Sequence, residues 1–280
     1  MEIIEIKKPN FFILGAAKCG TTSLHHYLSQ HPEIFMSKIK EPSFFCETFQ
    51  QVNNPVHYFD LFADARHEKI VGEASHVYLS DPKAAPILKG LFPEAKFLII
   101  LRNPAERAYS LYLDMKNHGW EKIKSFQKAL DKEMDRIDSV TFKHNNPQYF
   151  YNFLYYHSGL FGEQIKRYFD LFDRAQFHIL TLEHLKNNYT KCLDDIFDFL
   201  AVTKKIDIQE KVHNKTYLIR SRNTQKLVRK LPIPKPIKQK IIDHTYKKMI
   251  PINEGVKQEL MLRFQKDQEL LNDLCGIKFD

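Results

Sequence analysis

The sequence predicts an α/β fold: a central parallel sheet flanked by helices, with a P-loop-like turn after its first strand. Three observations predict it. An apolar run, Phe11-Phe12-Ile13-Leu14, passes through small residues from Gly15 to Gly20 into a helix opening at Thr21-Thr22-Ser23. A second run, KFLIIL from Lys96 to Leu101, has almost no polar interruption, as a strand buried on both faces requires. Between and after these runs, strand-like and helix-like stretches alternate over 280 residues, the pattern of a sheet with helices on its faces.

The elements follow in order. A first helix is expected from Thr21 to Gln30, with Leu24, Tyr27 and Leu28 on its buried face, ended by His31-Pro32. A short strand from Glu33 to Ser37 and an aromatic-rich helix from Asn54 to Ala65 come next, then a strand from Lys69 to Ser75. Asp81-Pro82 signals the start of a helix reaching Leu91, and Pro104 does the same for the helix after KFLIIL. The stretch around 115–157 is polar and helical and reads as a cap-like insertion. Its aromatic cluster, Tyr149 to Tyr156, is expected to pack, with contact to an acceptor as the alternative; Trp120 fits either packing or the wall of a cleft. A helix from Gly162 to Phe172, a strand from Phe177 to Leu182 and a helix from Asn188 to Leu200 complete the core. The remainder, around 203–280, reads as a basic C-terminal extension of the same single domain, with a stiff proline-containing segment and a final amphipathic helix from Val256 to Leu274.

Composition narrows the class. Hydrophobic residues make up 43% and charged residues 27%, ordinary for a globular chain and incompatible with disorder. The formal net charge of +8 suits an anionic partner such as a nucleotide or acidic glycan, and serves solubility equally well. Four scattered cysteines form neither a C-x-x-C pair nor a zinc spacing, so free thiols in a reducing compartment are expected. No apolar stretch approaches the roughly 18 residues of a membrane span. A cytoplasmic protein is the expectation.

The chemistry concentrates in three segments. Backbone N–H groups of the turn Ala17-Lys18-Cys19-Gly20, with Thr21, Thr22 and Ser23 at the helix start, are suited to an anion. A Walker A loop places its lysine directly after the second glycine; here Thr21 stands there and the lysine lies inside the loop, at Lys18. In the second segment, KEPSFF, Pro42 and the anchors Phe44 and Phe45 hold Glu41 as a candidate general base, where a solvated loop charge would be the default for a lone glutamate. In the third, Arg102 ends a strand and Ser110 lies two turns into the next helix, so both can face one anion.

GAAKCGTTSL, KEPSFF and LRNPAERAYSLY together resemble the sulfotransferases that use 3′-phosphoadenosine 5′-phosphosulfate (PAPS), specifically the glycan (heparan-type) and related bacterial members. The resemblance implies the sulfotransferase fold and in-line, metal-independent transfer of a sulfuryl group, with 3′,5′-ADP (PAP) as product. It implies that the Lys18 loop holds the 5′-phosphosulfate, that Arg102 and Ser110 hold the 3′-phosphate, and that Glu41 deprotonates the acceptor. It also makes His76 a further candidate base, and Arg220 or Arg222 candidates for a basic loop over the nucleotide. Arg107 is expected to support its helix. Glu73, Ser75 and Tyr78 match the family's next motif, but Ala74 replaces its substrate-facing lysine, so that role has no residue here. The acceptor implied is a hydroxyl or amine of a carbohydrate or small polar natural product, with no nucleic acid, no membrane span and an open oligomeric state.

Two other classes compete. A P-loop NTPase or small-molecule kinase would need a lysine after Gly20 and a strand-end aspartate for magnesium, where this chain has Thr21 and Arg102. A non-catalytic binder of acidic glycans would rest on the basic tail alone and would show steep salt dependence without turnover.

Overall fold

The computed structural model describes residues 7–145, 148–204, 208–209, 217–219, 227–228, 231–232, 234, 237–238, 241, 246–248 and 250–280, with backbone only at 217–219 and 246–248. In chain order, β1 (Phe11–Gly15) leads to α1 (Thr21–Leu28), β2 (Ile34–Met36), α2 (Pro55–Asp60), β3 (Ile70–Ala74), α3 (Val77–Ser80) and α4 (Ala84–Leu91). Then come β4 (Lys96–Leu101), α5 (Pro104–His118), α6 (Phe126–Asp131), α7 (Glu133–Asp138), α8 (Val140–Asn145) and α9 (Phe161–Phe169). β5 (Phe177–Thr181), α10 (Leu182–Asn187), α11 (Tyr189–Leu200), the pair β6 (Tyr217–Ile219) and β7 (Tyr246–Lys248), and α12 (Glu254–Cys275) complete the described elements.

The main sheet has the order β2-β3-β1-β4-β5, and every neighbouring pair in it is parallel. Helices cover it, so β1 and β3 are buried at every position and β4 at all but Lys96. That burial explains the unbroken apolar runs. From β1 the chain winds to one side for β2 and β3, then crosses to the other for β4 and β5. The turn after β1 therefore lies where the winding reverses, the place where open α/β sheets bind ligands beyond their carboxyl ends.

Several element ends differ from expectation. α2 stops at Asp60, with Asn54 Oδ1 capping the N–H groups of Val56 (2.8 Å) and His57 (3.3 Å), and turns follow to Ala65. Asp81 does not open α4; its Oδ1 accepts the Lys83 N–H at 2.9 Å and the helix starts at Ala84. α3 has no counterpart in the expected elements, because His76-Val77-Tyr78-Leu79 is too short for periodicity to register. α5 matches its signals more closely: Asn103 Oδ1 caps the Glu106 N–H at 3.1 Å, Pro104 is the first helical residue, and Gly119 closes the helix.

The stretch around 115–157 forms α6, α7, α8 and two 3-10 turns. A buried ion pair, Arg136 Nη2 to Glu121 Oε2 at 2.8 Å, ties it together, with Arg136 Nη1 donating to the Phe153 carbonyl at 2.7 Å and Tyr155 Oη to Glu121 at 2.7 Å. Trp120 stacks on His118, ring centroids 4.6 Å apart. α12 packs on α9 and α5. There the buried carboxylate of Asp267 accepts the N–H groups of Gly162 (3.0 Å) and Glu163 (2.9 Å) at the start of α9.

Candidate active site

The turn after β1 is built for close approach and for an anion. Gly15 has φ +151, and a Cβ there would lie 3.0 Å from the His76 carbonyl oxygen, so β1 can sit this close to the β3–α3 turn only with glycine. Gly20 takes φ +104 as the N-cap of α1. It supplies no capping side chain, and the first turn of α1 holds no acidic residue. A helix N-terminus left in this state favours a bound anion. Thr21 is buried, Thr22 and Ser23 are half-buried, and Ala17 packs partly against the apolar cluster that α5 shares with α6 and α12. Cys19 is fully buried; burial raises its thiol to about 12, so it stays protonated and plays no nucleophilic part.

Backbone strain marks the same places. Among the described residues, the non-glycine positions with positive φ are Lys18 (64), Glu41 (65), Ser43 (54) and Ala201 (58). Each left-handed residue costs about 1–3 kcal/mol, and three of the four lie in the two segments expected to carry the chemistry. Such strain persists only where the surroundings impose it.

Lys18 Nζ lies 2.9 Å from Asp114 Oδ1, about three turns along α5's flank from the strand end that carries Arg102. Arg102 donates to Glu106 Oε2 from Nη2 (2.6 Å) and Nε (3.3 Å). Lys257 of α12 stands 3.6 Å from the other Glu106 oxygen. Burial would raise the Glu106 carboxyl, but Arg102 and Lys257 outweigh it and hold it below the ordinary glutamate value. Ser110 lies on α5 between Glu106 and Asp114 and is buried.

Across β1, on the β3 side, stands the second half of the site. The Glu41 N–H bonds to the Ala74 carbonyl at 2.9 Å, which ties KEPSFF to the end of β3. The Glu41 carboxylate contacts Lys40 Nζ and lies 2.7 Å from His76 Nδ1. His76 Nε2 lies 3.2 Å from Asn152 Oδ1, and the Tyr149 ring meets the imidazole edge-on at 5.6 Å. Burial pushes the Glu41 carboxyl up, but the His76 and Lys40 charges overcome this and hold it far below the usual range. Glu41 is thus ionised at any pH near neutrality.

Beneath Glu41 is a fully buried carboxylate, Glu73. It accepts hydrogen bonds from Tyr58 Oη (2.7 Å), Tyr78 Oη (2.9 Å) and Ser75 Oγ (2.6 Å). Burial raises Glu73 to about 7, with Ser75, Tyr58 and Tyr78 pulling the other way and the Glu41 charge adding to the rise. The Ser75 hydroxyl also accepts the Ser43 N–H at 3.0 Å, and Ser43 Oγ contacts the Tyr149 hydroxyl. Phe45 is buried against Tyr58, Tyr78, Phe12 and Phe92, and Phe44 stacks on Tyr58 at 4.6 Å. The strained Glu41 segment is therefore held by an apolar anchor and by a polar chain to Glu73.

The structure brings Lys18 and its loop, Arg102 and Ser110 to the β1 and β4 side, and Glu41 and His76 to the β3 side. Arg107 is fully buried, with its guanidinium on Ser158 Oγ (2.9 Å) and the Tyr155 carbonyl, so it supports the helix. Arg220 and Arg222 lie outside the described residues. Sequence reasoning missed Asp114, Glu106, Lys40 and Asn152, and placed Tyr149 in an aromatic cluster without tying it to His76. Asp114 and Glu106 carried a signal, one turn either side of Ser110, but no spacing says which cation each will meet. Asn152 carried none.

A family model described as the sulfotransferase domain matches residues 8–248. Human carbohydrate sulfotransferase 15 is 27% identical over 304 aligned residues, which cover 90% of this chain and 53% of that protein. The membrane-associated sulfotransferase kil1 of Dictyostelium discoideum is 34% identical over 105 residues, 37% of this chain and 22% of that protein. This chain thus spans about half or less of the length of these relatives. The crystal structure of a sulfotransferase from Alicyclobacillus acidocaldarius superposes with a TM-score of 0.74 at 30% identity, covering 98% of each chain. With the family model spanning most of its length and a solved sulfotransferase matching it nearly end to end, this chain belongs to the sulfotransferase family.

Proposed function

We propose that the protein transfers a sulfuryl group from PAPS to a hydroxyl or amine of a carbohydrate or small polar molecule. The observation that carries this reading is the placement of two cations, Lys18 and Arg102, at the ends of adjacent strands β1 and β4, with a carboxylate–imidazole pair across β1. A donor with anionic groups at both ends of an adenosine fits the first arrangement. A neutral acceptor that must lose a proton fits the second. The carbohydrate acceptor is supported by the likeness to human carbohydrate sulfotransferase 15.

PAPS supplies an activated S–O bond; the chain's residues do the rest. Lys18 Nζ and the N-terminus of α1 hold the 5′-phosphosulfate, and Arg102 with Ser110 holds the 3′-phosphate. Glu41 takes the acceptor proton as the acceptor oxygen or nitrogen bonds to sulfur. The bond from sulfur to the bridging oxygen breaks, and PAP departs with that electron pair, its new charge faced by Lys18. So acidic a carboxylate is by itself a weak base. His76 Nδ1 lies 2.7 Å from it, so the Glu41–His76 pair is the working base. The insertion at 115–157 borders the acceptor through Tyr149 and Asn152, and the domain is one unit with a C-terminal extension. Four free cysteines, three of them buried, support a reducing compartment such as the cytoplasm.

Titration calorimetry with PAP and with ATP, each with and without magnesium, tests the donor. PAP binding that is tighter than ATP binding and insensitive to magnesium is expected; magnesium-dependent ATP binding would establish the kinase alternative. Transfer of labelled sulfate from PAPS to a panel of sugars and amines, unaffected by EDTA, would complete the test.

A further inference from the structure

The donor-site cations are already paired, and the pairing follows a pattern on one helix. Glu106 and Asp114 lie eight residues apart on α5, on one face, with Ser110 midway. Glu106 holds Arg102 at 2.6 Å, and Asp114 holds Lys18 at 2.9 Å. Arg102 and Glu106 are neighbours on one turn, a local pair that any helix start can form. Lys18 and Asp114 are 96 residues apart in sequence, and the lysine side chain is only 20% exposed, so the pair exists because the fold brings a strained turn against α5.

We infer that Asp114 is a positioning residue for the donor reaction: its carboxylate holds the Lys18 ammonium along α5 and weakens the site's grip on the anionic nucleotide, so that product is released. The inference rests on the sulfotransferase reading given above. An ammonium has three donors, so Lys18 can keep one bond to Asp114 while another reaches the bridging oxygen of the donor. The carboxylate fixes the direction of the ammonium. It also offsets one of the positive charges that the 5′ end of the nucleotide meets. His118 Nδ1 stands 3.8 Å from the second Asp114 oxygen and donates to the Asp114 carbonyl oxygen at 2.9 Å, which keeps the carboxylate on this edge of α5.

The experiment is a double-mutant cycle read by calorimetry with PAP, using Asp114→Asn, Lys18→Ala and both together. Because the pair is partly screened, Asp114→Asn is expected to tighten PAP binding about 3- to 10-fold. That gain should vanish in the Lys18→Ala background, and Asp114→Glu should return the affinity toward wild type. Asp114→Ser serves as a second neutral variant should the asparagine variant fold poorly. Unchanged or weaker PAP binding by the neutral variants would overturn the inference. So would a gain that persists without Lys18, since it would show simple charge repulsion acting without the lysine. A wild-type protein that binds no PAP at all would remove the sulfotransferase reading itself, and with it the role assigned to Asp114.

Discussion

Replacing Glu73 by glutamine should remove a pH dependence from the stability of the whole fold. The Glu73 side chain is wholly buried, with no solvent to screen it, and its proton affinity is raised from an ordinary glutamate value of 4.5 to about 7. In the unfolded chain the same carboxyl titrates near ~4.3. Between those values the native state holds a proton that the unfolded state has lost. The stabilisation is fully present below the unfolded pKa and disappears as pH rises through 7. At about 1.36 kcal/mol per pKa unit, the interval from pH 5 to pH 8 carries about 2–3 kcal/mol. Glutamine keeps the shape and can still bond to the three hydroxyls, but it does not titrate. Urea unfolding of both proteins at pH 5 and pH 8 should therefore show the wild type losing about 2–3 kcal/mol more than Glu73→Gln, roughly 1 M in midpoint for a typical m-value. Parallel pH dependence in the two proteins would refute the reasoning and show that Glu73 is ionised throughout. The effect reaches the active site, because Ser75 links Glu73 to the Ser43 N–H and so to the strained segment bearing Glu41.

Other outcomes follow from the same geometry. Lys18→Ala should lower the rate of sulfuryl transfer by about 10²–10³, the usual cost of a lost charge stabiliser, in single-turnover assays. Arg102→Ala should weaken PAP binding by about 10- to 100-fold, the range for a charge-assisted hydrogen bond, with a smaller effect on turnover; calorimetry decides. Glu41→Gln should cost about 10²–10⁴ in turnover with PAP affinity kept, and near-full activity would place the base elsewhere. Gly72→Ala would put a Cβ 2.6 Å from Phe11 Cδ1 and 2.9 Å from the Phe11 carbonyl oxygen. Since β1 backbone cannot move cheaply there, thermal unfolding should show a loss of about 1–3 kcal/mol, the cost of overpacking.

What the residues declare on their own is whatever local chemistry dictates. Phe11 to Leu14 and Lys96 to Leu101 announce buried parallel strands, because a strand covered on both faces admits almost no polar side chain. Gly15, Gly20, Asn103 and Pro104 mark turns and helix starts through their backbone preferences alone. Lys18, Glu41, Arg102 and Ser110 were legible as candidates, because each lies in a short segment whose neighbours are tied to it by spacing. Contacts across long stretches of chain were not legible. The strand order β2-β3-β1-β4-β5 puts the Lys18 loop between the Glu41 side and the Arg102 side, and no single segment encodes that order. Only the folded chain brings His76 and Asn152 to Glu41, or sets Asp114 against Lys18. The reason is physical: propensity and periodicity act over a few residues, whereas the charge state of a site depends on which groups packing forces within about 3–4 Å of one another.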